Sequence, residues 1–312
     1  METFHLTYPL TDRTLPGPVA LAIGYFDGVH LGHQAVIENA RRLAEETGAA
    51  VGVMTFHPHP REVLGKGEMS HYLTPLPEKL RQFQRLGVDR TYVMNFDLEF
   101  ASLSKEAFVE QVLLPLGVTG AACGFNFSFG RGAGGQADDL VRLGKGRYQA
   151  AVTLPVYEKG LPLSSTRLRK ALSQGEVEES RDILGRPYTL RGRVVEGDQR
   201  GRAIGFPTAN LQLTEPYTVP AEGVYAVRVC WGSERADGMM NIGYRPTFKD
   251  SEPRQTLEVH LFDREDNLYG EELEVSFLHR LREETRFASV EALIDQLKAD
   301  EQKARAWLRQ NG

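Results

Sequence analysis

The spacing of apolar residues changes near Arg186, and two different architectures are needed to accommodate it. Upstream, strand-like and helix-like segments alternate. Residues 19–25 (VALAIGY) read as a buried strand. Val36, Ile37, Ala40, Leu43 and Ala44 then share one helical face, and Gly48 stops that helix. Residues 50–56 are a second apolar run. A helix over 77–86, a strand over 90–96, a helix over 105–116, a strand over 120–125, a helix after Gln136 and a run over 148–155 complete the series. This alternation predicts a parallel sheet covered by helices on both faces. Ligands bind such sheets outside the carboxyl ends of the strands, at the switch point.

Downstream of Arg186 the period becomes two. The candidate strands are 190–196, 223–231, 237–242, 255–262 and 272–279. In the fourth, Leu257, Val259 and Leu261 take one face, while Thr256, Glu258 and His260 take the other. Many short strands without intervening helices predict a closed antiparallel barrel. One helix ends the chain, with Val290, Leu293, Ile294, Leu297, Ala304, Trp307 and Leu308 as its stripe and Ser289 as its N-cap. The polar stretch 174–186 is the expected boundary, giving domains over 1–180 and 181–312.

Composition narrows the function classes. The 312 residues are 41% hydrophobic and 25% charged, which excludes wholesale disorder, and two domains suit that length. A net charge of −5 supplies no general attraction to nucleic acid or anionic lipid, so neither is expected as a partner. Cys123 and Cys230 lie far apart inside apolar runs and do not suggest a disulfide framework. No run of 18 apolar residues predicts a membrane helix, and METFHLTYPL lacks the pattern of a secretory signal. A cytoplasmic protein, monomeric or weakly self-associating, is the expectation.

The segment from Gly24 to His33 (GYFDGVHLGH) connects the first strand to the first helix. Backbone N–H groups and the helix dipole favour a phosphate at such a junction. His30 and His33 are three apart, and both can face the same phosphate oxygens. A single histidine there reads as a surface or capping residue; HxGH at this junction resembles the signature of nucleotidyltransferases that move AMP from ATP. Ser164-Ser165-Thr166-Arg167-Leu168-Arg169 opens a short helix, where hydroxyls and an arginine suit phosphates leaving as pyrophosphate. A plain N-cap with solvated arginines is the bland account of the same residues. In GFNFSFG, Asn126 lies among Phe125, Phe127 and Phe129, a setting for a planar ring or for core phenylalanines. His57 and His59 have no third ligand nearby in sequence, so a metal site there is not expected.

Together with GRAIGFPTAN (201–210), these motifs resemble the bacterial bifunctional riboflavin kinase/FMN adenylyltransferase (FAD synthetase) family, in order and over nearly the whole chain. The resemblance implies a Rossmann-like α/β nucleotidyltransferase domain, then an antiparallel six-stranded β-barrel riboflavin kinase domain with a C-terminal helix. It implies that His30, His33, Asn126 and Arg169 promote AMP transfer, with Gly24, Phe26, Asp27, Gly28, Gly32, Phe127, Ser165 and Thr166 contacting nucleotide or flavin. In the kinase half it implies a phosphate-covering flap from Gly197 to Gly205, with Arg200 and Arg202. Thr208 is implied as a Mg²⁺ ligand with Asn210, Glu258 as the base, and Arg282, Glu283 and Phe287 as a flavin flap. Asn241 and Arg245 would support them. The implied molecules are riboflavin, FMN, FAD, ATP, ADP and pyrophosphate, with Mg²⁺ accompanying ATP. Two departures bear on affinity: His57 replaces an expected acidic residue before PHP, and 131–136 is unusually glycine-rich.

Two rival readings share some of these motifs. A relative of the same superfamily would use HxGH on phosphopantetheine or a cytidylyl substrate, with the barrel only binding; GFPTAN with Glu258 argues against it. A flavin-sensing or RNA-binding regulator would use the barrel as a recognition surface, and the negative charge without a basic-aromatic stripe argues against RNA.

Overall fold

A computed structural model describes residues 1–11, 16–65, 71–197, 201, 204–245, 254–264 and 266–311, excluding the side chains of Arg245 and Arg254. The chain divides into two compact units, Met1–Ser165 and Thr166–Gly312.

The first unit runs β1 (Glu2–Leu6), β2 (Val19–Ile23), α1 (Leu31–Thr47), β3 (Ala50–His57), α2 (Pro60–Val63), α3 (Leu76–Arg85), β4 (Arg90–Asn95), α4 (Leu98–Ala101) and α5 (Lys105–Phe108). It continues through β5 (Val118–Gly124), β6 (Ser128–Phe129), β7 (Gly135–Gln136), α6 (Ala137–Gly144), β8 (Gln149–Thr153), β9 (Tyr157–Glu158) and β10 (Leu161–Pro162). Six strands pair in the order β1-β4-β3-β2-β5-β8, all parallel. Every residue of β2 is buried, as a strand covered on both faces requires. Ala20 and Ala22 pack with Val36, Ile37, Ala40 and Leu43 of α1 on one side. Leu21 and Ile23 join Leu113, Ala121 and Leu140 on the other. The chain moves outward from β2 through β3 to β4, then returns to lay β5 on the opposite side of β2. The switch point therefore lies between the carboxyl ends of β2 and β5.

β1 was not anticipated: it is an edge strand of which only Leu6 is buried, too short and polar to stand out. The helix expected over 105–116 is α5 followed by a π-helical turn, Val109–Leu113.

The second unit contains α7 (Ser165–Gln174), α8 (Val177–Leu184), β11 (Tyr188–Val195), β12 (Ala209–Leu213), β13 (Gly223–Trp231), β14 (Glu234–Arg245), β15 (Arg254–Leu261), β16 (Glu272–Arg282) and α9 (Val290–Asn311). Its six strands close as β11-β12-β15-β14-β13-β16. β12 completes the barrel and was absent from the five strands read by periodicity, because only Leu211 of its five residues is buried. The polar stretch 174–186 contains α8, whose Val177, Ser180, Ile183 and Leu184 are buried, and Gly185 caps it in the left-handed region. The His279 ring nitrogen meets the Glu178 carboxylate, so α8 is tied to β16. The division between units thus falls at Ser165/Thr166, ahead of the expected 180/181.

Ser289 caps α9 as expected, its hydroxyl accepting from the Ala292 N–H at 3.2 Å. Ala304 and Leu308 pack with Val224, Ala226, Met239 and Leu278 on the outside of the barrel. Val290, expected in the stripe, is exposed because it stands at the first turn. Among the described residues, no helix is long and apolar enough to cross a membrane. Both cysteines are free.

Candidate active sites

α1 starts without a serine, threonine or acidic cap. His30 fills that role: its Nδ1 accepts from the His33 N–H at 3.3 Å. The two imidazoles stack with centroids 3.6 Å apart and planes 19° apart. Gly32 makes this possible, since a Cβ there would lie 3.1 Å from the His30 ring. Burial, helped by the charges of His30 and Lys79, holds His33 well below the usual imidazole range. At neutral pH the ring is therefore an uncharged hydrogen-bonding group. Its buried Nδ1 has no hydrogen-bond partner among the described residues.

The turn before α1 is unusually constrained. Phe26, Gly28 and Val29 all have positive φ, at 58°, 94° and 44°. For a β-branched valine this is a costly conformation that surrounding contacts must impose. The Asp27 carboxylate, 6% exposed, accepts from the Thr74 N–H at 3.1 Å. The Asp27 carbonyl accepts from the Ser165 hydroxyl at 2.7 Å. Phe26 is buried edge-on to His33 and to Phe83, a core support beneath the turn. A Cβ at Gly24 would touch the Phe26 ring at 3.1 Å.

Across the switch point, the Phe127 N–H donates to the Gly124 carbonyl at 3.0 Å and closes a turn that leaves Asn126 exposed at its tip. The three phenylalanines divide between the core and the surface. Phe129 is buried against Phe108, Phe127 is half-buried and stacked on Phe129 at 5.6 Å, and Phe125 is 52% exposed. The loop 131–136 forms a short 3₁₀ turn and β7, whose Gln136 enters a capping box with Asp139. His57 is exposed at the end of β3. His59 instead packs against Tyr25 at 4.1 Å and caps α2, and burial lowers its pKa to about 4. Among the described residues no cluster of three His, Cys, Asp or Glu suits a metal ion.

Thr166 and Arg169 belong to the second unit, on α7. The Arg169 guanidinium donates to the Thr218 hydroxyl at 2.9 Å.

The barrel carries a second constellation. On β15, Glu258 stands directly opposite Asn210 of β12 and Asn241 of β14, so the three side chains form a row across adjacent strands. Leu257 and Val259 are buried on the other face, as the alternation predicts, and Glu258 is half-buried. The Thr208 hydroxyl lies 3.5 Å from the Glu258 carboxylate. Gly197 stands against this row, where a Cβ would fall 2.0 Å from the Asn210 amide, and a Cβ at Gly201 would meet the Phe206 carbonyl at 2.2 Å. Gly205 has φ 82°. Arg200 and Arg202 lie outside the described residues. A hydroxyl, an amide and a carboxylate beside a close backbone form an all-oxygen donor set that fits Mg²⁺ rather than a softer metal.

After β16, Arg282 donates to the carboxylate of Asp300, which is fully buried on α9, at 2.8 Å. Its guanidinium also lies 5.5 Å from the Phe287 ring. Glu283 is exposed. Glu284, not singled out from the sequence, contacts Glu222 and Asn241, and a Cβ at Gly243 would strike its carboxylate.

The FAD synthetase family pattern matches residues 12–167, and the riboflavin kinase pattern matches 184–308. A bifunctional riboflavin kinase/FMN adenylyltransferase of Listeria monocytogenes is 42% identical, covering 98% of each chain. That of Bacillus subtilis is 41% identical, covering 97% of each. A crystal structure described as a macrolide-efflux protein from Streptococcus pneumoniae superposes with a TM-score of 0.91 at 34% identity, covering 98% of this chain and 100% of that one. With both halves matched in order and such identity over nearly its full length, the chain belongs to the bifunctional riboflavin kinase/FMN adenylyltransferase family.

Proposed function

We propose that the second unit phosphorylates riboflavin with ATP, giving FMN and ADP, and that the first transfers AMP from ATP to FMN, giving FAD and pyrophosphate. The observation that carries this reading is a separate polar constellation in each unit: stacked HxGH imidazoles at the start of α1, and the Asn210–Glu258–Asn241 row with Gly197 against it.

The two reactions make different demands. The ribityl 5′-hydroxyl is neutral and must lose a proton as its oxygen attacks the γ-phosphorus. Glu258 accepts that proton while the bond to ADP breaks. Thr208 and Asn210 would hold Mg²⁺, which supplies charge neutralisation for the ATP phosphates. Backbone around Gly197, Gly201 and Gly205 covers the phosphates, with Arg202 as a further cation. Arg282 and Glu283 line the flavin side.

FMN phosphate is largely ionised at neutral pH, so adenylyl transfer needs no base; repulsion between phosphates is its barrier. His30, His33 and the α1 N-terminus hydrogen-bond the nucleotide phosphates, and Asn126 holds the reacting groups from the β5 side. Gly24, Asp27, Gly28 and Ser165 shape the turn, and Phe127 borders the ring. Thr166 and Arg169 are assigned to the leaving pyrophosphate. Free thiols and dependence on ATP suit the cytoplasm, where the protein acts as a monomer or weak homo-oligomer.

The test is a time course with riboflavin, ATP and Mg²⁺, the flavins being separated by chromatography. FMN followed by FAD is the expected result. FMN alone would remove the adenylyl-transfer assignment. FAD from FMN without phosphorylation of riboflavin would make the barrel a binding module.

A further inference from the structure

Lysine is seldom buried, because stripping its ammonium of water is costly unless other groups replace the hydration. Lys79, on α3, is 2% exposed. Its Nζ donates to the Tyr25 carbonyl at 2.7 Å and lies 3.8 Å from the centroid of the Tyr25 ring. The same carbonyl accepts from the Thr55 hydroxyl of β3 at 3.0 Å. Residues 25–27 are thus pinned from α3, from β3 and, through Asp27, from Thr74. These contacts impose the strained turn that leads into His30.

We propose that Lys79 is a positioning residue of the adenylyl-transfer site, the fixed buried cation behind the phosphate-binding turn, and that nucleotide binds there in step with its positive charge. The proposal rests on the assignment of AMP transfer to the first unit. Being buried, Lys79 acts through Tyr25 and Asp27 and through its field rather than by touching substrate. Among the described residues, the groups whose charges couple to Lys79 are Asp27 from the turn, His33 from α1 and His59 from the segment after β3, with Glu78 its neighbour on α3; His30 acts in turn on His33, and Arg61 and Glu62 on His59. Asp27 favours the charged ammonium, but burial outweighs it and lowers the Lys79 pKa to about 8. Bound phosphates add negative charge nearby and favour protonated Lys79. By linkage, nucleotide affinity then falls as the pH rises through about 8.

The experiment measures KM for ATP in FMN-to-FAD conversion by the full-length protein from pH 7 to 9, with riboflavin phosphorylation on the same chain as reference. A group titrating at about 8 raises the first KM about tenfold over that range and leaves the second unchanged. Lys79→Arg, which keeps its charge, should show a low KM at every pH. Lys79→Met should show a raised KM that no longer varies with pH. A thermal unfolding profile and circular dichroism spectrum matching wild type report that the first unit of each variant has folded, and retained riboflavin phosphorylation reports the second. A wild-type KM that is flat, or one that rises equally in both reactions, overturns the proposal, as does a Lys79→Met variant with the wild-type profile. If Lys79→Met does not fold, the wild-type and Lys79→Arg profiles decide. Wild-type protein that makes no FAD from FMN would instead overturn the assignment of the reaction itself.

Discussion

At the scale of single residues, one proton separates the two halves of this enzyme. Glu258→Gln preserves size and the approach of Thr208 but removes the basic oxygen. Riboflavin phosphorylation should fall by about a hundredfold or more, with FMN-to-FAD conversion unchanged, as read by flavin chromatography. Equal loss of both steps would sink the division of labour. His33→Ala should do the reverse, slowing FAD formation by about a hundredfold through loss of a phosphate contact. Because His33 is held well below its ordinary pKa in the free protein, it stays neutral as the pH falls through 6.5 and should put no break there in kcat/KM for FMN-to-FAD conversion. For Glu258, alternation along the chain supplied only its place off the core face, and the family resemblance supplied its role as base. Lys79 was not legible: in LPEKLRQFQR a lysine reads as a solvent-facing position of an amphipathic helix. Its burial is decided by Tyr25, 54 residues away in the chain.

At the scale of elements, the segment after β16, proposed as a flavin flap, is tied to α9. Asp300 of α9 is fully buried, accepting from Arg282 and from the Gln296 amide, both at 2.8 Å. Asp300→Ala strips Arg282 of its counter-charge. Breaking a fully buried pair costs about 3–5 kcal/mol. The Arg282 side chain left behind is 18% exposed and still donates to the Glu283 carbonyl, so the loss falls below that range and the unfolding midpoint of the second unit should drop measurably. KM for riboflavin should rise as the segment after β16 loosens, while KM for FMN in the first unit stays unchanged. An unaltered riboflavin KM would separate this pair from the flap. α9 itself was readable from its stripe and serine cap, and α1 from its stripe and Gly48. α8 was hidden because Glu178, Glu179, Arg181 and Asp182 outnumber its buried apolar residues, so it resembled a linker. β12 was hidden for a similar reason: its strand character comes from pairing with β11 and β15 rather than from its own side chains.

At the scale of the whole molecule, each compact unit carries its own site, so the reactions should be separable between chains. Mixing Glu258→Gln protein with His33→Ala protein should restore conversion of riboflavin to FAD, FMN made by one chain being used by the other. Failure of the mixture, with each variant still performing its single step, would mean that FMN is not released between steps. By itself the sequence determined the two fold classes, since hydrophobic periodicity records which faces of each element are buried. It also held the HxGH and GRAIGFPTAN motifs, at the β2–α1 junction and between β11 and β12, because their glycines, histidines and hydroxyls are contiguous in the chain. Only the tertiary structure decided the Asn210–Glu258–Asn241 row, the neutrality of His33, the buried charge of Lys79 and the Arg282–Asp300 pair. Each depends on strand register, or on the desolvation of one group by residues remote in the chain, and neither has a local signature.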